Sequence, residues 1–361
     1  MKKLIPILLV LAMVFSFAAC GNDGGGDTAD ATPYIAVISK GFQHQFWQVV
    51  KLGAEDAAKE FGVEITFEGP PTESDIADQV NMLNAALDKA PAAICLAALD
   101  TESVMEQLNS CLDKGIPVVG FDSGVPNAPA GSIYATASTD NKAAAALAAD
   151  NLYANAEFKA ALDAATAAAP LNIGVLSQDA TSESIVSRTV GFIDKIVELV
   201  GSDQVSIVGH DKYANNVSDA KVVITVSVPA TTDAADLKSA AEQLLTNGDL
   251  TAIYGSNEAG AGGILAASND GNDFNKEDGK YADIIAIGFD AGKTQRTAVE
   301  NGWFYGSITQ DPYSIGYMAV KLAVDAINGV AAPSGGIVDT GAKWYNSENL
   351  SDESISQLVY E

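Results

Sequence analysis

Short apolar runs alternate with helical stretches along this chain, and the alternation runs through two successive series. From residue 33 onward the first series predicts strands over 34–38, 63–67, 92–96, 117–121 and 132–136, with helices over 43–61, 74–88 and 102–114 between them. The second opens with an alanine-rich helical stretch over 139–166, interrupted near Asn155. Strands over 172–177, 204–208, 222–228, 252–255, 284–289 and 304–309 follow, separated by helices over 182–200, 233–247, 259–268 and 292–301. A helix over 312–328 and a tail come last. Strand–helix alternation with short loops builds a parallel sheet covered on both faces. The expectation is therefore an α/β chain of two doubly wound parallel-sheet lobes, and 361 residues suffice for two sizeable cores.

The first strand-to-helix turn is chemically dense. Gly41 breaks the apolar run, and Phe46, Val49, Val50, Gly53, Ala57 and Phe61 then share one helical face. The cluster Lys40, Phe42, Gln43, His44, Phe46 and Trp47 thus sits where a strand's carboxyl end turns into a helix, the place where open α/β sheets bind ligands. Taken alone, Phe46 and Trp47 also read as core residues at a helix start.

A net charge of −27 argues against a nucleic-acid partner, which needs a basic face. Arg188 and Arg296 are the only arginines. At the amino end, Lys2 and Lys3 precede an apolar stretch from Leu4 to Phe17, short for a membrane span, closed by Ala18-Ala19-Cys20. Residues 1–20 read as a secretory signal rather than a structural helix. The cysteine after two alanines resembles a bacterial lipobox, in which Cys20 becomes the lipidated first residue. Phe17 stands where Leu is usual, and ordinary secretion with an incidental Cys20 is the alternative. Residues 21–32, rich in Gly and Asp, read as a flexible tether spanning roughly 20 Å. These features place the folded body outside the cytoplasm, attached to the cell membrane through lipid alone. Cys95 and Cys111 read as buried free thiols by default, although an exported protein permits a disulfide.

Several strand-end signatures then fall into order: Phe46-Trp47, Gly120-Phe-Asp-Ser123, Ser187-Arg188, Ser256-Asn257, Gly288-Phe-Asp290 and Thr309-Gln-Asp-Pro312. As an ordered set they resemble the type I periplasmic, solute-binding proteins of bacterial sugar importers, with the ribose-binding proteins the nearest pattern. The resemblance runs from about Tyr34 to the carboxyl end. It implies two lobes joined by a three-segment hinge: 33–137 plus 312–337, and 138–311 plus 338–361. The chain would cross near 137–139, 310–312 and 335–339. It implies that Phe46 and Trp47 cover the faces of a sugar ring, that Asp122 and Asp290 accept from hydroxyls, and that Arg188 donates a planar fork. Asn257 and Gln310 would use both amide groups, and Phe289 would line the apolar side. His44 stands where ribose binders carry Asn. Ser123 stands where many carry Arg after the first aspartate, and Thr232 where they carry an aromatic. The ligand need not be ribose, and Lys40, His44 or Gln43 would fill the space.

The chemistry fits independently, since carboxylates accept from sugar hydroxyls, Arg and amides donate, and aromatic rings cover C–H faces. Singly, each residue has a plainer reading: Asp122, Asp290 and Asn257 as helix caps, Arg188 as a surface helix residue. The function implied is capture of a monosaccharide or polyol by a monomeric lipoprotein that delivers it to an ABC permease and its ATPase. The alternative is a sugar sensor presenting its closed form to a chemoreceptor or histidine kinase. A LacI-type repressor shares the fold but conflicts with the signal segment, the acidity and the missing helix-turn-helix. No nucleophile–base pair, P-loop or dinucleotide fingerprint proposes an enzyme, and no cofactor is expected. The polar loop over 269–280 lacks EF-hand spacing and reads as a solvated turn, so no metal is expected.

Overall fold

The computed structural model describes residues 32–42, 44–246 and 249–360. The expected signal segment, Cys20, nearly all of the tether and Gln43 lie outside the described residues. Among the described residues no helix is long and apolar enough to cross a membrane.

The first series runs β1 (Tyr34–Ile38), α1 (Gln45–Phe61), β2 (Glu64–Glu68), α2 (Ile76–Asp88), β3 (Ala93–Leu96), α3 (Met105–Lys114), β4 (Val118–Phe121) and β5 (Ile133–Ser138). The expected strand–helix order holds. The second runs α4 (Asn141–Ala154), α5 (Ala156–Ala164), β6 (Leu171–Leu176), α6 (Glu183–Val200), β7 (Val205–Val208), β8 (Val222–Ser227), α7 (Ala234–Thr246), β9 (Leu250–Gly255), α8 (Glu258–Ala267), β10 (Ile285–Phe289), α9 (Lys293–Glu300) and β11 (Phe304–Gln310). Asn155 interrupts the alanine-rich stretch as expected, and its side chain accepts from Phe158 N at 3.0 Å to start α5. The chain ends with α10 (Pro312–Ile327), β12 (Ile337–Asp339), β13 (Ala342–Tyr345) and the short α11 (Glu353–Ser356).

The strands form two sheets, ordered β12-β5-β4-β3-β1-β2 and β13-β11-β10-β9-β6-β8-β7. Every pairing is parallel except β11 with β13. Buried strand side chains alternate between faces, as a two-residue period requires. In β1, Ile35 and Val37 join the core under α1 and α10, while Ala36 and Ile38 join the one under α2 and α3. Cys95 and Cys111 belong to these two opposite cores and are both free. In the second sheet, Ile285 and Ile287 face α4 and α6, whereas Ala286 faces the side of α7, α8 and α9.

The chain passes from the first sheet to the second after β5, returns after β11 and passes again between β12 and β13. On the first sheet, α1 lies against α10 at a crossing made of two glycines. A Cβ on Gly53 would meet the Tyr313 carbonyl, and one on Gly316 the Val50 carbonyl, so the helices touch backbone to backbone. This contact fixes the start of α1, and with it Phe46 and Trp47, over the carboxyl ends of the strands.

Candidate functional site

The carboxyl ends of both parallel sheets face a common cleft. From the first sheet's side come Lys40 after β1, His44 as the N-cap of α1, Phe46 and Trp47 in its first turn, Glu73 ahead of α2, and Asp122 one residue past β4. From the second come Arg188 on α6, Asn257 and Glu258 after β9, Asp290 one residue past β10, and Gln310 closing β11. All of these line one cavity of about 20 Å³, room for about one water molecule.

Arg188 is the centre of the arrangement. It is only 3% exposed, so the surface-helix reading does not apply. Its Nε donates to Asn141 Oδ1 at 2.7 Å, its carbon lies 4.0 Å over the Phe289 ring, and its two terminal nitrogens stand 3.8 Å from Asp122 and 3.7 Å from Asp290. A guanidinium so stacked and oriented is a fixed fork. Phe289 supports the fork from beneath rather than lining the cavity.

Both aspartates stand on positive-φ backbone, 54° at Asp122 and 79° at Asp290. Such conformations are uncommon for residues other than glycine and persist only where surroundings enforce them. At Asp290 the enforcement is dense. Ser307 Oγ and Tyr345 Oη donate to its carbonyl at 2.9 and 3.0 Å, and Gln295 Nε2 donates to the Phe289 carbonyl at 2.7 Å. Its carboxylate accepts from Glu258 N at 2.8 Å and from the Gln310 amide. At Asp122, Ser138 Oγ donates to the carbonyl at 2.7 Å. The Asp122 carboxylate has less support: Oδ2 is buried without a hydrogen bond, with Lys40 Nζ 3.4 Å away. Burial pushes the Asp122 carboxyl up despite Lys40 and Arg188.

Lys40 is linked to Ser123, which stands where many ribose binders carry Arg, only through Ser184. Its Nζ donates to Ser184 Oγ at 3.2 Å and pairs with Asp122 and Glu73. Burial works to lower its pKa, but Asp122, Glu73 and Asp179 outweigh that and raise it, so the ammonium stays charged. Ser123 is fully buried, and its Oγ accepts from Ser184 N at 3.3 Å. Asn257 takes the plainer reading. Its Oδ1 caps α8 by accepting from Gly260 N at 2.9 Å, and its Nδ2 donates to Gln178. Trp47 is buried edge-on against Phe46 and Phe121.

Sequence reasoning missed Glu73, Gln178 and Glu258. Trp47 Nε1 donates to Glu73 Oε1 at 2.7 Å, and Gln178 Nε2 donates to Glu73 Oε2 at 3.0 Å. Burial alone would raise the Glu73 carboxyl, yet Lys40, His44 and these two bonds hold it down to about 2. Glu258 accepts from Phe46 N at 3.4 Å, and burial raises its carboxyl. Gln178 to Glu73 and Phe46 N to Glu258 therefore bond across the cleft, and Ser74 Oγ with Thr232 Oγ1 at 3.1 Å does the same.

Comparison with known proteins gives this cleft a context. Residues 35–331 match the model of the periplasmic binding protein domain. The chain belongs to the periplasmic binding protein family. Within that family it is 25% identical over 304 residues to the D-allose-binding periplasmic protein of Escherichia coli K12, covering 83% of this chain and 86% of that one. It is 24% identical over 342 residues to the ribose import binding protein of Bacillus subtilis, covering 91% and 94%. Among solved structures, one from Brachyspira murdochii described as an ABC transporter, LacI family transcriptional regulator, superposes with a TM-score of 0.75 at 40% identity. It covers 92% of this chain and 99% of that one. The expected type I periplasmic binding protein fold is thus the fold of this chain and of its relatives.

Proposed function

We propose that this periplasmic binding protein captures a monosaccharide or related polyol between two lobes and delivers it to the permease of an ABC importer. The observation that carries the reading is the buried fork of Arg188 set between Asp122 and Asp290, carboxylates supplied by different sheets. A sugar presents vicinal hydroxyls that each donate and accept. A fixed donor fork between two fixed acceptors matches that pattern, and Phe46 and Trp47 add apolar cover. The lobes follow the expected 33–137 plus 312–337 and 138–311 plus 338–361, with two bounds moved outward because Ser138 and Asp339 pair with each other in the first sheet, and the hinge lies where the chain passes between sheets. With room for about one water, the cleft must open for a ligand to enter. Lys40, His44 and Gln310 join the ligand set, Ser123 backs it, and Asn257 and Gln178 act through their neighbours. The D-allose-binding and ribose import relatives support a sugar as the ligand class.

The chain is held at the membrane by lipid on Cys20 and meets its permease and ATPase there as a monomer, with no catalytic step. Cys20→Ser leaves unprocessed precursor; normally anchored mature protein from that variant would exclude lipidation. For the sugar reading, a thermal-shift screen of pentoses, hexoses and polyols, D-allose and D-ribose included, is the direct test, because a ligand bound only by the folded form raises apparent stability. A hit whose calorimetric affinity is unchanged in Asp290→Ala places the site elsewhere.

A further inference from the structure

Beside the Arg188 centre, hydrogen bonds in series join the two sides of the cleft. Asn257 Oδ1 accepts from Gly260 N at 2.9 Å as the cap of α8, its Nδ2 donates to Gln178 Oε1, and Gln178 Nε2 donates to Glu73 Oε2 at 3.0 Å. The Trp47 indole closes the series from the far end, donating to Glu73 Oε1 at 2.7 Å. Gln178 and Asn257 follow β6 and β9 of the second sheet, whereas Trp47 and Glu73 belong to the first sheet's side. None of the four is more than 5% exposed.

The two ends of the series fix the direction of every bond in it. A backbone N–H and an indole N–H can only donate. Asn257 must therefore turn its oxygen to Gly260 and its nitrogen to Gln178. Gln178 must in turn give its oxygen to Asn257 and its nitrogen to Glu73. The loop that carries Gln178 is itself held. Gln178 N donates to Ser256 Oγ at 3.1 Å, and Asp179 Oδ1 accepts from Thr181 N at 3.0 Å and from Ser182 N at 2.9 Å. Thr181 Oγ1 then reaches across the cleft to donate to the Leu99 carbonyl at 3.1 Å. A donor presented this rigidly meets its carboxylate at little cost in ordering. The bond to Glu73 is charge-assisted and so roughly twice as strong as a neutral one, whereas the Ser74–Thr232 contact is neutral.

We propose that Asn257 and Gln178 are positioning residues for closure: the α8 cap aims the Gln178 amide at Glu73, and this one-way series latches the lobes over the ligand and sets its rate of release. The inference rests on the two-lobe, sugar-binding reading and adds to it what holds the closed form. A bond made only when the lobes meet slows their opening and leaves ligand entry unchanged.

Reversing single groups tests the direction. In Asn257→Asp the cap of α8 is kept, but the second oxygen can only accept. Gln178 then turns its nitrogen away from Glu73 and its oxygen toward it, so that two acceptors meet. In Gln178→Glu two carboxylates meet across the cleft. Glu73→Gln supplies a donor to either arrangement while Trp47 keeps its acceptor. Release of D-allose and of D-ribose from the full chain is followed by stopped-flow tryptophan fluorescence. Asn257→Asp, Gln178→Glu and Glu73→Gln should each release sugar about tenfold to a hundredfold faster, with association unchanged. Glu73→Gln combined with either of the other two should recover the wild-type rate, which also reports that the variants are folded. Small-angle scattering of the same proteins without sugar reads the latch directly: each single variant should enlarge the radius of gyration, and each pair should bring it back. Wild-type release from the single variants, or pairs that release no more slowly than the singles, overturn the latch and leave the sugar site standing. If neither sugar binds, the sugar reading loses both candidates and scattering decides the latch alone, with equal radii throughout overturning it.

Discussion

Asp122 and Asp290 hold the same station in the two sheets, one residue past β4 and one past β10, both on left-handed backbone and both facing the guanidinium of Arg188. Two separate sheets thus present the same strained strand-end carboxylate to one cation. Strain of this kind costs on the order of 1–3 kcal/mol per residue and collects at functional sites.

Arg188→Lys keeps the charge and loses the fork. An ammonium cannot reach Asp122, Asp290 and Asn141 together or stack on Phe289. Loss of a charge-assisted bond corresponds to roughly 1.5–3 kcal/mol, so Kd for the screened sugar should rise about tenfold to a hundredfold. Arg188→Ala should in addition lower stability by about 3–5 kcal/mol, because it removes the cation set between two buried carboxylates. Calorimetry and urea unfolding measure the two effects separately. Wild-type affinity in Arg188→Lys would remove the fork from the mechanism.

Glu73 gives the fold an acid-labile tie. Its carboxyl lies at about 2 in the folded protein against an ordinary 4.5, so the folded state favours the ionised form. A depressed carboxylate stabilises the fold above the unfolded value, and that contribution disappears as pH falls from about 4.5 through about 2. The full difference is on the order of 3 kcal/mol. Glu73→Gln removes the titration while keeping an acceptor for the Trp47 indole. The stability gap between wild type and Glu73→Gln, followed by chemical denaturation, should narrow across that window. Parallel curves down to pH 2 would contradict the assignment.

Legibility followed the strand ends. Asp122, Arg188, Asp290 and Gln310 could be picked out only as an ordered set resembling the family's strand-end signatures, since singly the aspartates read as helix caps and Arg188 as a surface helix residue, and the topology brings those ends together. Glu73 could not. It sits in an aperiodic loop, and its importance comes from the Trp47 indole and the Gln178 amide folding onto it. Asn257 was ambiguous because a helix cap and a sugar contact ask for the same residue type, and only the observed partners separate them. The strands β12 and β13 also escaped. They are short, Ile337 is 64% exposed, and their existence depends on a neighbouring strand to pair with rather than on any period of their own.

The glycine crossing of α1 and α10 should be intolerant of a single methyl group. Gly316→Ala sets a Cβ against the Val50 carbonyl and must push the helices apart. Overpacking of this kind costs about 1–3 kcal/mol, occasionally more. The displaced α1 carries Phe46 and Trp47, so a lower melting temperature and weaker sugar binding should appear together. Gly262→Ala, which meets no neighbour, is the control and should leave both unchanged or raise the melting temperature slightly. Gly316→Ala with wild-type stability would mean that the crossing is looser than the backbone contact implies.

The last prediction concerns Ser123, which stands where many ribose binders carry Arg. Lys40 Nζ is a cation close by, 3.4 Å from Asp122 and bonded to the hydroxyl of Ser184, whose backbone N–H in turn donates to Ser123 Oγ. Ser123→Arg alone would put a third cation beside Lys40 and Arg188 in a fully buried position. It should destabilise the protein through overpacking and like-charge repulsion, without simply converting specificity. Lys40→Met should weaken sugar binding by about tenfold or more, since Asp122 loses its nearer partner and the ligand loses a donor. Combined, the two changes relieve each other: methionine vacates the charge, and the arginine supplies it from the other side. The double variant should therefore bind more tightly, and melt higher, than the sum of the single effects allows. A double-mutant cycle read by calorimetry and thermal unfolding measures this coupling, expected within about 0.5–3 kcal/mol. Additive effects would show that Lys40 and the Ser123 position do not share one role.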